Sequence, residues 1–179
     1  MLFAMNRHLW VFALVILATV CAGCDDGKPA KVSVSQEAVA GRPKEPFPPT
    51  GIELSLTQPV LPDYVVTSGL SAAESWGRWS DSDRVVFRFG SDLPKRFALV
   101  ISARAYGPNA GPTIPVKVGS QLREMKLSDD VTKEVRLEFS SSIATDSIEI
   151  TVPKPTVPNN GDLRSLGIAF GSIKIDTLP

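Results

Sequence analysis

Apolar and polar residues alternate with a period of two along most of the chain beyond residue 50. Phe97, Leu99, Ile101, Ala103 and Ala105 interleave with Ala98, Val100, Ser102, Arg104 and Tyr106. Val85, Phe87 and Phe89 alternate with Val86 and Arg88, and Val135, Leu137 and Phe139 with Arg136 and Glu138. Ile148, Ile150 and Val152 alternate with Glu149 and Thr151. Successive strand side chains point to opposite faces, so each run carries one apolar and one wetter face. Antiparallel sheets with one side in a core have this pattern. It predicts strands near 52–56, 63–68, 84–89, 96–106, 114–118, 121–127, 132–139, 146–152 and 167–175, with Phe87, Leu99, Ile101, Leu137 and Ile150 in the core.

Turn chemistry separates these runs, as at Gly90-Ser91-Asp92, Gly107-Pro108-Asn109-Ala110-Gly111, Ser128-Asp129-Asp130 and Pro158-Asn159-Asn160-Gly161. Gly119-Ser120 joins 114–118 to 121–127 as a tight hairpin. Helix is signalled only at Ser71-Ala72-Ala73-Glu74, a capping-box pattern with no amphipathic run behind it, which predicts one turn. Many short strands and almost no helix predict an all-β fold, an antiparallel β-sandwich of jelly-roll-like form.

The first 24 residues set the compartment. Arg7 and His8 precede an apolar run from Leu9 to Val20, broken only by Thr19 and followed by Cys21-Ala22-Gly23-Cys24. Such a run is too short to span a bilayer comfortably. A basic start, a short apolar stretch and small residues at the cut describe a signal peptide. The cut site resembles the lipobox of bacterial lipoproteins: Ala22, Gly23 and Cys24 match it, while Cys21 stands where leucine is usual. The resemblance implies cleavage before Cys24, its lipidation and a stable hold on a membrane, since two acyl chains anchor durably where one does not. An ordinary secretory cut nearby, or an uncleaved anchor, is the alternative. Asp25 directly after the cysteine resembles the enterobacterial signal for retention in the inner membrane, facing the periplasm.

Three segments follow: a signal peptide at 1–23, a lipidated cysteine with its tether at 24–50, and a β-domain at 51–179. Pro43, Pro46, Pro48 and Pro49 stiffen the end of the tether. A flexible stretch of that length spans roughly 28 Å, and up to about 80 Å in polyproline form.

The sequence has 19 Lys+Arg and 19 Asp+Glu; removing Arg7 with the signal leaves 18 against 19. A neutral domain with interspersed charge lacks the basic stripe for nucleic acid and the polybasic patch for anionic headgroups. The only histidine, His8, lies in the signal, as does Cys21, while Cys24 is consumed by lipidation. Histidine dyads and histidine or cysteine zinc sites are therefore not expected in the mature chain, and no cofactor is expected. Acids are present at Asp81, Asp83, Asp129, Asp130 and Asp162, but acids in Ser/Asp loops are mostly turn formers. The domain is read as non-catalytic.

Unusual residues do concentrate. Trp76-Gly77-Arg78-Trp79 puts two indoles three apart. Arg104 and Tyr106 share the polar face of a long strand that runs into Asn109, and Asp162 and Arg164 precede the last strand. Indoles offer flat apolar faces to sugar rings, and Arg, Asn and Asp offer planar donors and acceptors to hydroxyls. Two readings of the group stand side by side. It is a ligand-binding face, or it locks the fold, with Trp76 or Trp79 plugging the sandwich and an arginine pairing with Asp162.

The same residues carry a second resemblance. Gly69 to Ile175 is similar to a domain at the C-terminal end of bacterial membrane phosphoglycerol transferases and related glycosyltransferases. It rests on Glu74-Ser75-Trp76-Gly77-Arg78-Trp79-Ser80, Leu93-Pro94, Ala103-Arg104-Ala105-Tyr106-Gly107-Pro108-Asn109 and Arg164-Ser165-Leu166-Gly167-Ile168. The transfer chemistry of those enzymes belongs to a separate part, so the resemblance implies an accessory domain near envelope glycans. The expectation is a lipid-anchored module that recognises a glycan or glycolipid headgroup. The alternative is a structural lipoprotein that docks onto a membrane glycosyltransferase.

Overall fold

Ten strands and one short 3-10 turn make up residues 45–129 and 131–179, the part of the chain that the computed structural model describes. The signal segment, Cys24, Asp25 and most of the tether lie outside the described residues, as does Asp130. The strands are β1 (Ile52–Ser55), β2 (Val65–Ser68), β3 (Arg78–Trp79), β4 (Arg84–Phe89), β5 (Arg96–Ala105), β6 (Ile114–Val118), β7 (Gln121–Met125), β8 (Lys133–Ser140), β9 (Ser147–Thr151) and β10 (Ile168–Thr177).

One sheet has the order β1-β10-β5-β8, with β3 following β1 along the same edge of β10; the other has the order β2-β4-β9-β6-β7. Every paired strand is antiparallel. Together they form the antiparallel sandwich that the alternation predicts. Each run of period two supplies one layer of the core. In the first sheet Phe97 lies opposite Phe139, with rings stacked at 5.4 Å, and Leu99 sits between Leu137 and Ile175. In the second, Ile150 sits between Val85 and Val116, and Ile148 between Phe87 and Val118. Phe87 and Phe170 meet edge to face at 6.3 Å across the two sheets. The five expected core residues are all buried.

One irregularity preserves that layering. The β10–β5 register slips between Phe170 and Ser172, so Gly171 is an extra residue in β10. An unpaired residue restores parity, because a one-residue slip would turn every later side chain to the other face. Phe170 and Ile173 therefore both face the core, while Ala169, Ser172 and Lys174 face outward.

The capping-box reading of Ser71–Glu74 is corrected. No helix forms there. The segment is irregular, with isolated bridges from Leu70 to Ser80 and from Glu74 to Gly77 around a turn at Ser75 and Trp76. The Ser71 hydroxyl accepts the backbone N–H of Trp79 at 3.2 Å instead of capping a helix. Phe47 packs against the core, ahead of β1.

Candidate functional site

Ala169 is the outward-facing residue of β10 that lies between two neighbours, Trp79 on β3 and Arg104 on β5. A small residue between two large ones lets the guanidinium of Arg104 lean toward the indole. Its Cζ lies 5.1 Å from the Trp79 ring centroid and 5.7 Å from that of Trp76. Trp76 meets Trp79 edge to face at 5.1 Å, and Tyr106 meets Trp79 from another side at 5.7 Å. Trp79, Leu166 and Ala169 are buried together, with Trp76 and Tyr106 half-buried around them.

This cluster is separate from the core between the sheets. The expectation that an indole plugs the sandwich is therefore corrected. Trp79 is enclosed, with 8% of its surface exposed, but on the outer face of its sheet.

Gly77 places both indoles. Its φ is +146°, and a Cβ there would lie 2.0 Å from the carbonyl oxygen of Phe170. The turn carrying Trp76 is thus pressed directly onto the β10 backbone, which only glycine permits.

Polar groups hold Trp76 from behind. Its Nε1–H donates to Glu74 Oε2 at 3.0 Å, and Arg164 Nη1 donates to Glu74 Oε1 at 2.8 Å. Arg164 also forks onto Asp162, with Nη2 donating to Oδ2 at 2.7 Å and Nε to Oδ1 at 3.0 Å. Hydrogen bonds from Arg164 hold the Asp162 carboxyl below its ordinary range. Those same bonds, then the one to Glu74, raise the pKa of Arg164. This arginine is the partner of Asp162 that the fold-locking reading anticipates.

The eight candidate side chains divide accordingly. Trp76, Arg104 and Tyr106 line the face, Trp79 is its floor, and Asp162 and Arg164 stand behind it. Arg78 and Asn109 are not brought onto the face. Arg78 turns to the opposite side of β3 and donates to the carbonyls of Ser71, Gln58 and Pro59. Its Nε is buried without a partner among the described residues. Asn109 is fully buried: Nδ2 donates to Tyr106 O and Lys154 O, and Oδ1 accepts from Lys154 N.

Glu74 is the residue that sequence reasoning missed. Read alone it completes a capping box, and its arginine partner lies 90 residues away, so no local spacing reveals it.

No group of three or more His, Cys, Asp or Glu side chains among the described residues is placed to hold a metal ion. No helix among them is long and apolar enough to cross a membrane. A cavity of about 220 Å³, lined by residues including Leu93, Lys95, Phe97 and Ile143, lies at the start of β5, far along that strand from Arg104.

A family profile described as "Domain of unknown function (DUF7024)" matches residues 47–177. Phosphoglycerol transferase I of Escherichia fergusonii is 40% identical over 116 residues, which is 60% of this chain and 15% of that protein. The same figures hold for phosphoglycerol transferase I of Escherichia coli O139:H28. The chain thus spans about 15% of the length of these relatives, and its resemblance to a domain of phosphoglycerol transferases is shown. Among solved structures, a family 29 carbohydrate-binding module aligns at TM-score 0.41 and 12% identity, over 71% of this chain and 86% of that one. The Podospora anserina GH26-CBM35 β-(1,4)-mannanase aligns at TM-score 0.44 and 13% identity, over 74% of this chain and 29% of that one.

Proposed function

This chain belongs to the DUF7024 family of domains of unknown function, and we propose that it is a non-catalytic, lipid-anchored envelope module that recognises a glycan or glycolipid headgroup. The contacts are Trp76, Arg104 and Tyr106, with Trp79 as the floor beneath them. One observation carries the reading: an aromatic and arginine cluster sits on the outer face of a sheet, where sandwich packing does not require it. The outer face of such a sheet is ordinarily polar. Half-buried rings beside a guanidinium give a surface that stacks on a sugar ring and bonds its oxygens.

Cys24 supplies the anchor in this reading, and Asp25 favours the inner membrane on its periplasmic side. The relatives named phosphoglycerol transferase support work near the envelope. The test is a printed array of bacterial envelope glycans probed with the full chain in detergent. Binding that is lost in Trp76→Ala and Arg104→Ala, while both variants stay folded, supports the reading. No binding by the wild type overturns it.

A second reading has its own observation. In the loop that carries Arg164, Leu163 is 89% exposed and Val157 is 52% exposed. Apolar side chains presented to water fit a protein partner, and here the partner is a membrane glycosyltransferase. The aromatic cluster then serves only to lock the fold, the wild type shows no array binding, and Leu163→Asp abolishes co-purification with that enzyme. Co-purification that survives the substitution removes this reading.

A further inference from the structure

Trp76 sits in a tight turn at the face. Glu74 N–H donates to Gly77 O at 2.7 Å and Gly77 N–H donates to Glu74 O at 3.1 Å, so the indole projects from a reciprocally bonded pair. Nothing in that backbone fixes the ring itself, since a side chain on a surface turn ordinarily samples several rotamers. Glu74 fixes it. One carboxylate oxygen takes the indole N–H, and the other is held by Arg164, whose own orientation is set by the fork onto Asp162. Both oxygens of Glu74 are thereby engaged, and each link is at ordinary hydrogen-bond length.

We propose that Glu74 is the positioning residue of the binding face, with Arg164 and Asp162 as its support. The inference rests on the reading that Trp76 touches the ligand. It has two parts. The indole is ordered before the ligand arrives, so binding does not have to immobilise it. And because its N–H is already committed to Glu74, Trp76 meets the ligand as ring surface alone. Recognition at Trp76 then follows an apolar C–H face, and the oxygens at the edge of the same ring fall to Arg104. The ligand class that fits is a sugar ring offering one apolar face and acceptor oxygens beside it. A group that needs a donor at Trp76 does not fit.

The test uses the full chain in detergent, with tryptophan labelled at the indole nitrogen. Wild type, Glu74→Gln, Glu74→Ala and Trp76→Ala are compared by indole N–H resonance and on the envelope-glycan array. Trp76→Ala assigns the resonance. Glu74→Ala is expected to move the Trp76 N–H to the position of a free indole while the Trp79 resonance stays in place. Its array binding is expected to weaken by roughly two- to tenfold, the range for freeing one side chain. Glu74→Gln keeps one oxygen for the indole but turns an amide donor toward Arg164, so it is expected to restore the Trp76 resonance and the binding only in part. A Trp76 resonance unmoved in Glu74→Ala would show that Glu74 does not hold the indole, and that result overturns the proposal. Loss of binding in Trp76→Ala with full binding in Glu74→Ala also overturns it and leaves the glycan reading standing. If Glu74→Ala moves the resonance but Trp76→Ala binds the array as wild type does, Trp76 is not a contact and the proposal fails, while glycan recognition through another surface stands.

Discussion

Trp76 and Trp79 touch edge to face, yet only Trp79 is enclosed on every side by Leu166, Ala169, Tyr106 and Arg104. Emptying such a site costs about 3–5 kcal/mol. Trp79→Ala should therefore lose stability on that scale in a urea melt, whereas Trp76→Ala, at the half-exposed rim, should lose clearly less. Equal losses would mean that Trp76 is floor as well. Asp162 gives a pH signature. Its folded pKa lies below the ordinary 3.8, so the unfolded chain takes up the proton first. Its contribution is complete above 3.8 and is lost as pH falls through the lowered folded value. The gap in melting temperature between wild type and Asp162→Asn should accordingly hold at neutral pH and close in strong acid. At this scale the site was legible in part. Residue type singled out Trp76, Arg104 and Tyr106, but nothing local separates them from Asn109 and Arg78. The latter two are consumed by backbone carbonyls of Lys154, Gln58 and Pro59, whose nearness only the fold creates.

Strands with a full alternation were legible because burial on one face imposes the period. Examples are β5, buried at Phe97, Leu99, Ile101, Ala103 and Ala105 on one face, and β9, buried at Ile148 and Ile150. β3 was not legible, since two residues carry no period, and it is held by pairing with β10 and by the Ser71 backbone. The missing helix has a related cause. Ser71 and Glu74 have the chemistry of a cap, but each finds a better partner in tertiary contact, Trp79 N–H and Arg164 respectively. The turn before β3 is the element on which the face depends. Gly77→Ala puts a methyl group against the Phe170 carbonyl at a φ that alanine rarely adopts. It should destabilise by more than about 1 kcal/mol in a urea melt. It should also shift the Trp76 indole resonance. A folded variant with wild-type stability would show that the turn can detach from β10.

On the scale of the molecule, two five-stranded sheets enclose one core, and the second apolar cluster lies outside it. The anchor proposed at Cys24 makes a separate prediction: wild type sediments with membranes, and Cys24→Ala appears as soluble protein or uncleaved precursor. Mass spectrometry that finds an unmodified amino terminus in the wild type would exclude acylation. The sheet carrying the aromatic cluster also has a direction. β1 begins at Ile52 opposite Ile175, and β10 ends at Thr177 opposite Phe97, so the chain enters and leaves this sheet at one end. Arg104, Ala169 and Trp79 stand at the other, five residues along β5 from the entry and seven from the exit, about 17 and 23 Å at the rise of an extended strand. The two ends of the described strands, Ile52 and Thr177, thus lie at the end of this sheet remote from Trp79 and Arg104. A strand layer entered and left at one end keeps its opposite end clear of both chain connections.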